Sequence, residues 1–394
     1  MNRIDELAGN PRVRKALEGF ARDLASIVDW IVAVQQIPAP TFAEDARAAY
    51  IQGQFTVVGL RDVFQDELHN VYGRLPGTAP LSQPPVIVSA HSDTVFAADT
   101  DLAISQDGAY LCGPGIGDNS TGVGGLLALA RTMFAHNLTP AADVWFVSNV
   151  GEEGLGDLRG MRAVVERFGH NAIYLVVEGG LFGQISHAAI GVQRFRVEAR
   201  TAGGHSWGNF GQASAVHELA HLISAVDKIA VPQAPKTTYN VGVISGGTTI
   251  NSIASSASFL LDLRSEDTAE LDKLVNRFML LVREAQRRAR YCGRDVEFRV
   301  EQVGSRPAGW ISRQSLLVRW ATQALHAMGS DEVTYVSGST DANIPLSMGI
   351  PAVCIGLTLA ANPHRLDERI DPSYLPQGLG QLLLLTLACA GGDY

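Results

Sequence analysis

Four uninterrupted apolar runs, PVIVSA (85–90), VWFVSNV (144–150), IYLVVE (173–178) and PAVCIGL (351–357), limit the architectures open to this chain. A strand with one wet face alternates apolar and polar residues, so runs without alternation predict strands covered on both faces. Helical stretches such as GVGGLLALARTMFAHN separate them, and strands alternating with helices predict a largely parallel sheet in an α/β fold. Between about 188 and 303 the texture changes. FRVEARTA, TYNVGVISGG, SASFLLDLRS and VEFRVEQVG alternate polar with apolar positions, with two amphipathic helical stretches among them. That pattern suits an antiparallel sheet with one solvated or helix-covered face. The expected organisation is a domain over 1–188 and 305–394, interrupted by an inserted α+β domain over 189–304.

Charge and cysteine usage narrow the chemistry. With 31 Lys+Arg against 40 Asp+Glu the net charge is -9, a field that repels phosphate backbones and anionic lipid, so neither nucleic acid nor a membrane is an expected partner. The charged N-terminal stretch lacks the apolar core of a signal peptide, and no run is long enough for a membrane span, which predicts a cytoplasmic location. Cys112, Cys292, Cys354 and Cys389 are scattered without a CxxC pair. A disulfide framework or thiolate zinc site is therefore not expected. Any metal must be held by histidine and carboxylate.

Such residues stand just beyond the apolar runs. The first leads into His91-Ser92-Asp93, the second into Glu152-Glu153, the third ends on Glu178, and the fourth enters a loop reaching His364. In open α/β sheets the carboxyl ends of the strands form the ligand crevice, so these ends should converge. The stretch GPGIGDNSTG (113–122) adds Asp118 in a loop before a helix starting near Gly122. Its glycines do not have the spacing of a dinucleotide or P-loop fingerprint. It either carries a metal ligand or is a tight turn in which Asp118 caps the helix. His91, Asp118, Glu153, Glu178 and His364 make a set of oxygen and nitrogen donors suited to zinc and its first-row neighbours. A carboxylate lying between two half-sites could bridge two ions. Adjacent residues of an extended strand point apart, so one member of the Glu152-Glu153 pair can be a ligand and the other a general base.

With these residues, HSDTV, GIGDNSTG, GEEG, VVEGG, GGHSW, GGTTINSIA, DLRSED, STDAN and NPHRLDE occur in an order that resembles the M20 family of metallopeptidases. The family includes peptidase T, carboxypeptidase G, acetylornithine deacetylase and succinyl-diaminopimelate desuccinylase. The resemblance implies a zinc-exopeptidase-like catalytic domain split by a lid domain that also forms a homodimer. It implies two zinc ions, with cobalt or manganese as possible replacements, bridged by Asp118. His91 and Glu178 would hold one ion, and Glu153 and His364 the other. Glu152 becomes the general base, and Asp93 orients His91. His205 matches the histidine that stabilises the oxyanion, in some members that of the partner subunit. Arg264 matches a position that can bind a substrate carboxylate, a sheet-surface ion pair being the other reading of it, while Asn251 and Ser339 match substrate-proximal positions. The implied activity is hydrolysis of an amide in a small peptide. The alternatives are deacylation of an N-acyl amino acid or related metabolite, and a non-catalytic metal-binding or regulatory protein of the same fold.

Overall fold

The structure, a computed structural model, describes residues 3–79, 83–392 and 394. It is mixed α/β. All four apolar runs become neighbouring parallel strands, in the order Val144–Asn149, Val86–His91, Ile173–Glu178 and Ala352–Gly356. They form the middle of a nine-stranded sheet whose flanks are mostly antiparallel. Alternate residues serve different cores. Val86, Val88, Leu175 and Val177 pack on one face of the sheet, and Ile87, Tyr174 and Val176 on the other. The period of two is intact; it reads as continuous hydrophobicity because both faces are dry.

Helix Leu375–Ala390 shows the same logic at helical period. Leu379, Leu382, Leu383, Leu384, Leu385 and Leu387 are all fully buried, so the helix has no wet stripe. It packs against helices Pro11–Arg22, Gly122–Ala135 and Leu316–Ala327. A helix apolar all round belongs in the core of a large domain. Among the described residues no helix is long and apolar enough to cross a membrane.

The chain divides into two compact units, the first running to Ala189 and resuming at Gly309, the second spanning Ile190–Ala308. The return lies a few residues beyond the expected 304 because strand Glu297–Arg306 keeps pairing with Gly191–Arg200 until Arg306 meets Val192. In the second unit the strand order is Thr237–Gly246, Ser256–Ser265, Gly191–Arg200, Glu297–Arg306, with every neighbour antiparallel. Phe195, Val197, Phe259 and Leu261 face helices Ala215–Val226 and Thr268–Tyr291. Their alternates carry charge: Asp262 on the other face pairs with Arg194 at 2.9 Å and with Arg264 at 2.6 Å.

Parallel strands end at a common edge, so Asn149, His91, Glu178 and Gly356 finish side by side. Buried Arg47, on helix Asp45–Val58, secures this edge from below. Its guanidinium donates to the carbonyls of Ile37 and Ser92, each at 2.8 Å. Burial lowers its pKa to about 10, partly offset by the nearby charge of Asp93, so it remains cationic at neutral pH. Arg47→Met keeps the apolar volume but strips these carbonyls of their donors and Asp93 of its countercharge. It should destabilise the protein by about 2–4 kcal/mol, read as a lower urea midpoint; a loss below about 0.5 kcal/mol, the scale of ordinary surface substitutions, would contradict that role.

Candidate metal centre

At the shared strand edge, two groups of donor atoms meet at one carboxylate. His91, Asp118 and Glu178 form the first group and Asp118, Glu153 and His364 the second, with the donor atoms of each group within 4.8 Å of one another. Asp118 Oδ1 lies 3.0 Å from His91 Nε2, while its Oδ2 lies 3.1 Å from His364 Nε2. One oxygen thus faces each half. His91 Nε2 is also 3.6 Å from Glu178 Oε2, and His364 Nε2 is 3.1 Å from Glu153 Oε1.

In the 113–122 loop the capping contacts are made by Asn119, not Asp118. Asn119 Oδ1 accepts from the Gly122 amide at 3.0 Å and its Nδ2 donates to the Val177 carbonyl at 2.9 Å. Asn119 therefore does the turn's capping, which leaves the Asp118 carboxylate for the histidines. Asp118 departs from helical geometry, with φ -109° and ψ 94°, just before helix Gly122–Ala135 begins. Gly179, after Glu178, has no room for a side chain, since a Cβ there would lie 1.8 Å from the Gly117 carbonyl oxygen. That close approach presses the Glu178 strand against the Asp118 loop.

Asp93 is fully buried. Its backbone carbonyl lies 3.1 Å from His91 Nδ1 and its Oδ1 lies 3.5 Å from the same nitrogen, so Nε2 is the ring nitrogen turned toward Asp118 and Glu178. The same carboxylate accepts from the amides of Glu152 and Glu153, each at 3.0 Å, and from the Thr41 hydroxyl at 2.9 Å. A single anion thus orients the His91 ring and anchors the loop bearing Glu153, a member of the other donor group. Glu153 turns to His364, whereas Glu152, only 7% exposed, belongs to neither donor group.

Two further buried acids lie beside the centre: Asp341, in the Gly338–Asp341 segment that the resemblance places near substrate, and Glu368, for which the sequence pointed to no role. Asp341, near Ser339 in STDAN, accepts from Asn149 Nδ2 at 2.7 Å; Ser339 itself is half-buried. Glu368, in NPHRLDE, accepts backbone amides from the Asp118 loop. An acid four residues beyond His364 was the available signal, but adjacent Asp367 is exposed and paired with Arg365, and sequence does not distinguish the two.

The remaining sequence candidates lie in the second unit. Residues Gly204–His205 pair with Ser252–Ile253, and the Ser206 amide donates to the Asn251 carbonyl at 3.0 Å. His205 Nδ1 accepts from the amides of Trp207 and Gly208, both at 3.2 Å. A neutral ring so held carries its proton on Nε2. Arg264 is engaged in its ion pair with Asp262.

Electrostatics couple the groups. Burial disfavours charge on His91, but its bonds to Asp118, Asp93 and Glu178 outweigh this and keep the ring protonated well above its usual range. Bonds to Asp118 and Glu153 raise His364 to about 10. Asp118 is pulled down by both imidazoles despite its burial. Glu178 moves up, because burial and the charges of Asp118 and Asp341 exceed the help from His91. Since both histidine pKa values are raised, both rings hold protons through neutral pH, and a cation must displace them. Apparent metal affinity should therefore rise with pH, and zinc binding near pH 7 should release protons. Calorimetry in buffers of different ionisation heat reads this directly; a binding heat independent of buffer would rule these histidines out as ligands.

The wider likenesses agree with this architecture. Residues 87–387 match the family described as Peptidase family M20/M25/M40. No curated protein sequence matches the chain. Among solved structures, a tripeptidase from Staphylococcus aureus subsp. aureus Mu50 is 21% identical with a TM-score of 0.76, covering 93% of this chain and 98% of its own. Human carnosine dipeptidase 1 is 14% identical with a TM-score of 0.75, covering 96% and 99%. An amidase of the hydantoinase/carbamoylase family from Burkholderia vietnamiensis is 18% identical with a TM-score of 0.74, covering 94% and 98%. With a family match extending over most of its length, this chain belongs to the M20/M25/M40 peptidase family and is a hydrolase.

Proposed function

We propose that the chain is a two-metal amidohydrolase that cleaves a small peptide, as a di- or tripeptidase or by releasing a C-terminal residue. The observation that carries the reading is Asp118, whose two oxygens each face a separate imidazole-carboxylate half-site. The donor set fits first-row divalent ions, His91 and Glu178 holding one, Glu153 and His364 the other, and Asp118 both. Zinc is the first choice, with cobalt or manganese accepted by the same atoms. When bound, such a pair polarises the scissile carbonyl and acidifies water.

The chain's own groups carry the protons. Glu152 accepts the proton of the attacking water on its carboxylate and returns it to the leaving amine. Its backbone bond to Asp93 holds it beside the donor groups without making it a member of them. His205, with Nε2–H available, donates to the oxyanion, in its own subunit or in a partner. Arg264, Asn251 and Ser339 are the proposed substrate contacts, Arg264 for a carboxylate.

A homodimer through the second unit belongs to the same proposal. Strand Thr237–Gly246 lies at the edge of its sheet and exposes Val243 and Ile244, a surface that a second copy could cover. Light scattering should give the mass of a dimer, and a monomer at micromolar concentration would remove this part.

Activity is tested on a panel of di- and tripeptides beside N-acyl amino acids, with zinc and with chelator. Chelator-sensitive loss of peptides is expected; loss of the acylated members alone would reassign the enzyme as a deacylase. Glu152→Ala should lower kcat by about 10²–10⁴-fold with metal content unchanged. Near-normal turnover in that variant would sink the proposed mechanism.

A further inference from the structure

A buried carboxylate outside the ligand set holds the bridging loop in place. Glu368 is fully buried and reaches three amides of the GPGIGD turn. Its Oε2 accepts from the Gly115 amide at 3.0 Å, and its Oε1 accepts from the amides of Gly117 and Asp118, each at 2.7 Å. The carbonyl of Glu368 also accepts from the Gly113 amide at 2.8 Å. These contacts arise because strand Arg369–Asp371 pairs with Tyr110–Cys112 on one side and Leu359–Ala361 on the other. That small sheet lays the chain beyond His364 alongside the chain preceding Asp118. Glu368 is the junction of the two.

We propose that Glu368 is a positioning residue that sets the Asp118 carboxylate against His364, and so determines how tightly the Glu153–His364 half of the centre binds its cation. The inference rests on reading the site as a metal centre. Three amide donors distributed over both oxygens require a carboxylate. A glutamine offers a single oxygen, so its NH₂ would confront at least one backbone N–H, and the turn would have to move. His91 and Glu178 stand on strands of the main sheet and reach the turn only through Asp118, whereas the other half depends on it through Asp118 and also through His364, four residues before Glu368 on the same segment. Loss of the clamp should therefore be felt unequally by the two halves, which general destabilisation would not produce.

A second perturbation reaches the clamp from the other side. A Cβ on Gly117 would lie 2.9 Å from Glu368 Oε1 and 3.2 Å from both Ala360 Cβ and Ile370 Cγ2. Gly117→Ala therefore pushes on the carboxylate with Glu368 itself retained.

The test is calorimetric titration of zinc into the chelator-stripped full chain, with melting temperature measured in parallel. The wild-type protein should take up two ions. In Glu368→Gln one ion should bind about 10- to 100-fold more weakly, the range for loss of an outer-shell partner, and the other should change much less. Wild-type affinity at both sites overturns the inference. So does an equal fall at both accompanied by a lower melting temperature, which would make Glu368 a general stabiliser. If Glu368→Gln does not fold, Gly117→Ala is judged by the same criteria. A wild-type chain that binds no zinc fails earlier, at the metal-centre reading itself, and is distinguished from failure of the clamp.

Discussion

Like charges gathered out of water must be compensated, and this constraint organises the first unit. Asp118, Glu153 and Glu178 converge with two imidazoles at one sheet edge, while Asp93, Asp341 and Glu368 lie buried around them. Coulomb repulsion among carboxylates is strong where the dielectric is low. Protons on His91 and His364 provide compensation, as their raised pKa values show. Divalent cations would do so more completely, with the same atoms turned to the same point. Burial raises both carboxylates; two imidazoles outweigh it at Asp118, whereas at Glu178 one imidazole does not outweigh burial and the charges of Asp118 and Asp341.

The outer acids use the backbone as countercharge. Asp93 receives two amides and a hydroxyl, and Glu368 receives three amides. Each set of bonds satisfies a buried anion and simultaneously aligns a loop that carries a member of the donor groups. Loops alone would be poor holders of a metal site, because they lack a ladder to define their shape. Here Arg47, Asp93 and Glu368 bind the 37–47 turn, the Glu152–Glu153 loop and the Asp118 turn to rigid strand ends. The second unit applies the same device on a smaller scale, with two amides fixing the ring of His205.

Much of the site was legible because a parallel sheet converts a one-dimensional regularity into a place. Histidines and carboxylates just beyond the dry strands are ligand candidates on position alone, and the structure brings His91, Asp118, Glu153, Glu178 and His364 into two groups that share Asp118. Residues whose importance depends on burial were not legible. Asp367 and Glu368 are chemically alike and adjacent, yet one is paired at the surface and the other is buried under the Asp118 turn. Thr41 and Asn149 likewise gain their place only from the fold, where their hydroxyl and amide meet Asp93 and Asp341.

Local sequence by itself determined the dry central strands, the charged and alternating character of the insertion, and the histidine-carboxylate chemistry of the strand ends. These features come from side-chain hydrophobicity and period, which are properties of short segments. Tertiary structure alone decided which oxygen of Asp118 faces which imidazole, that Asn119 rather than Asp118 caps the turn, and that Glu368 grips the loop. Those choices depend on contacts between residues as far apart as 118 and 368, and only the pairing of distant strands, in the main sheet and in the small sheet around Arg369–Asp371, brings such segments within hydrogen-bond reach.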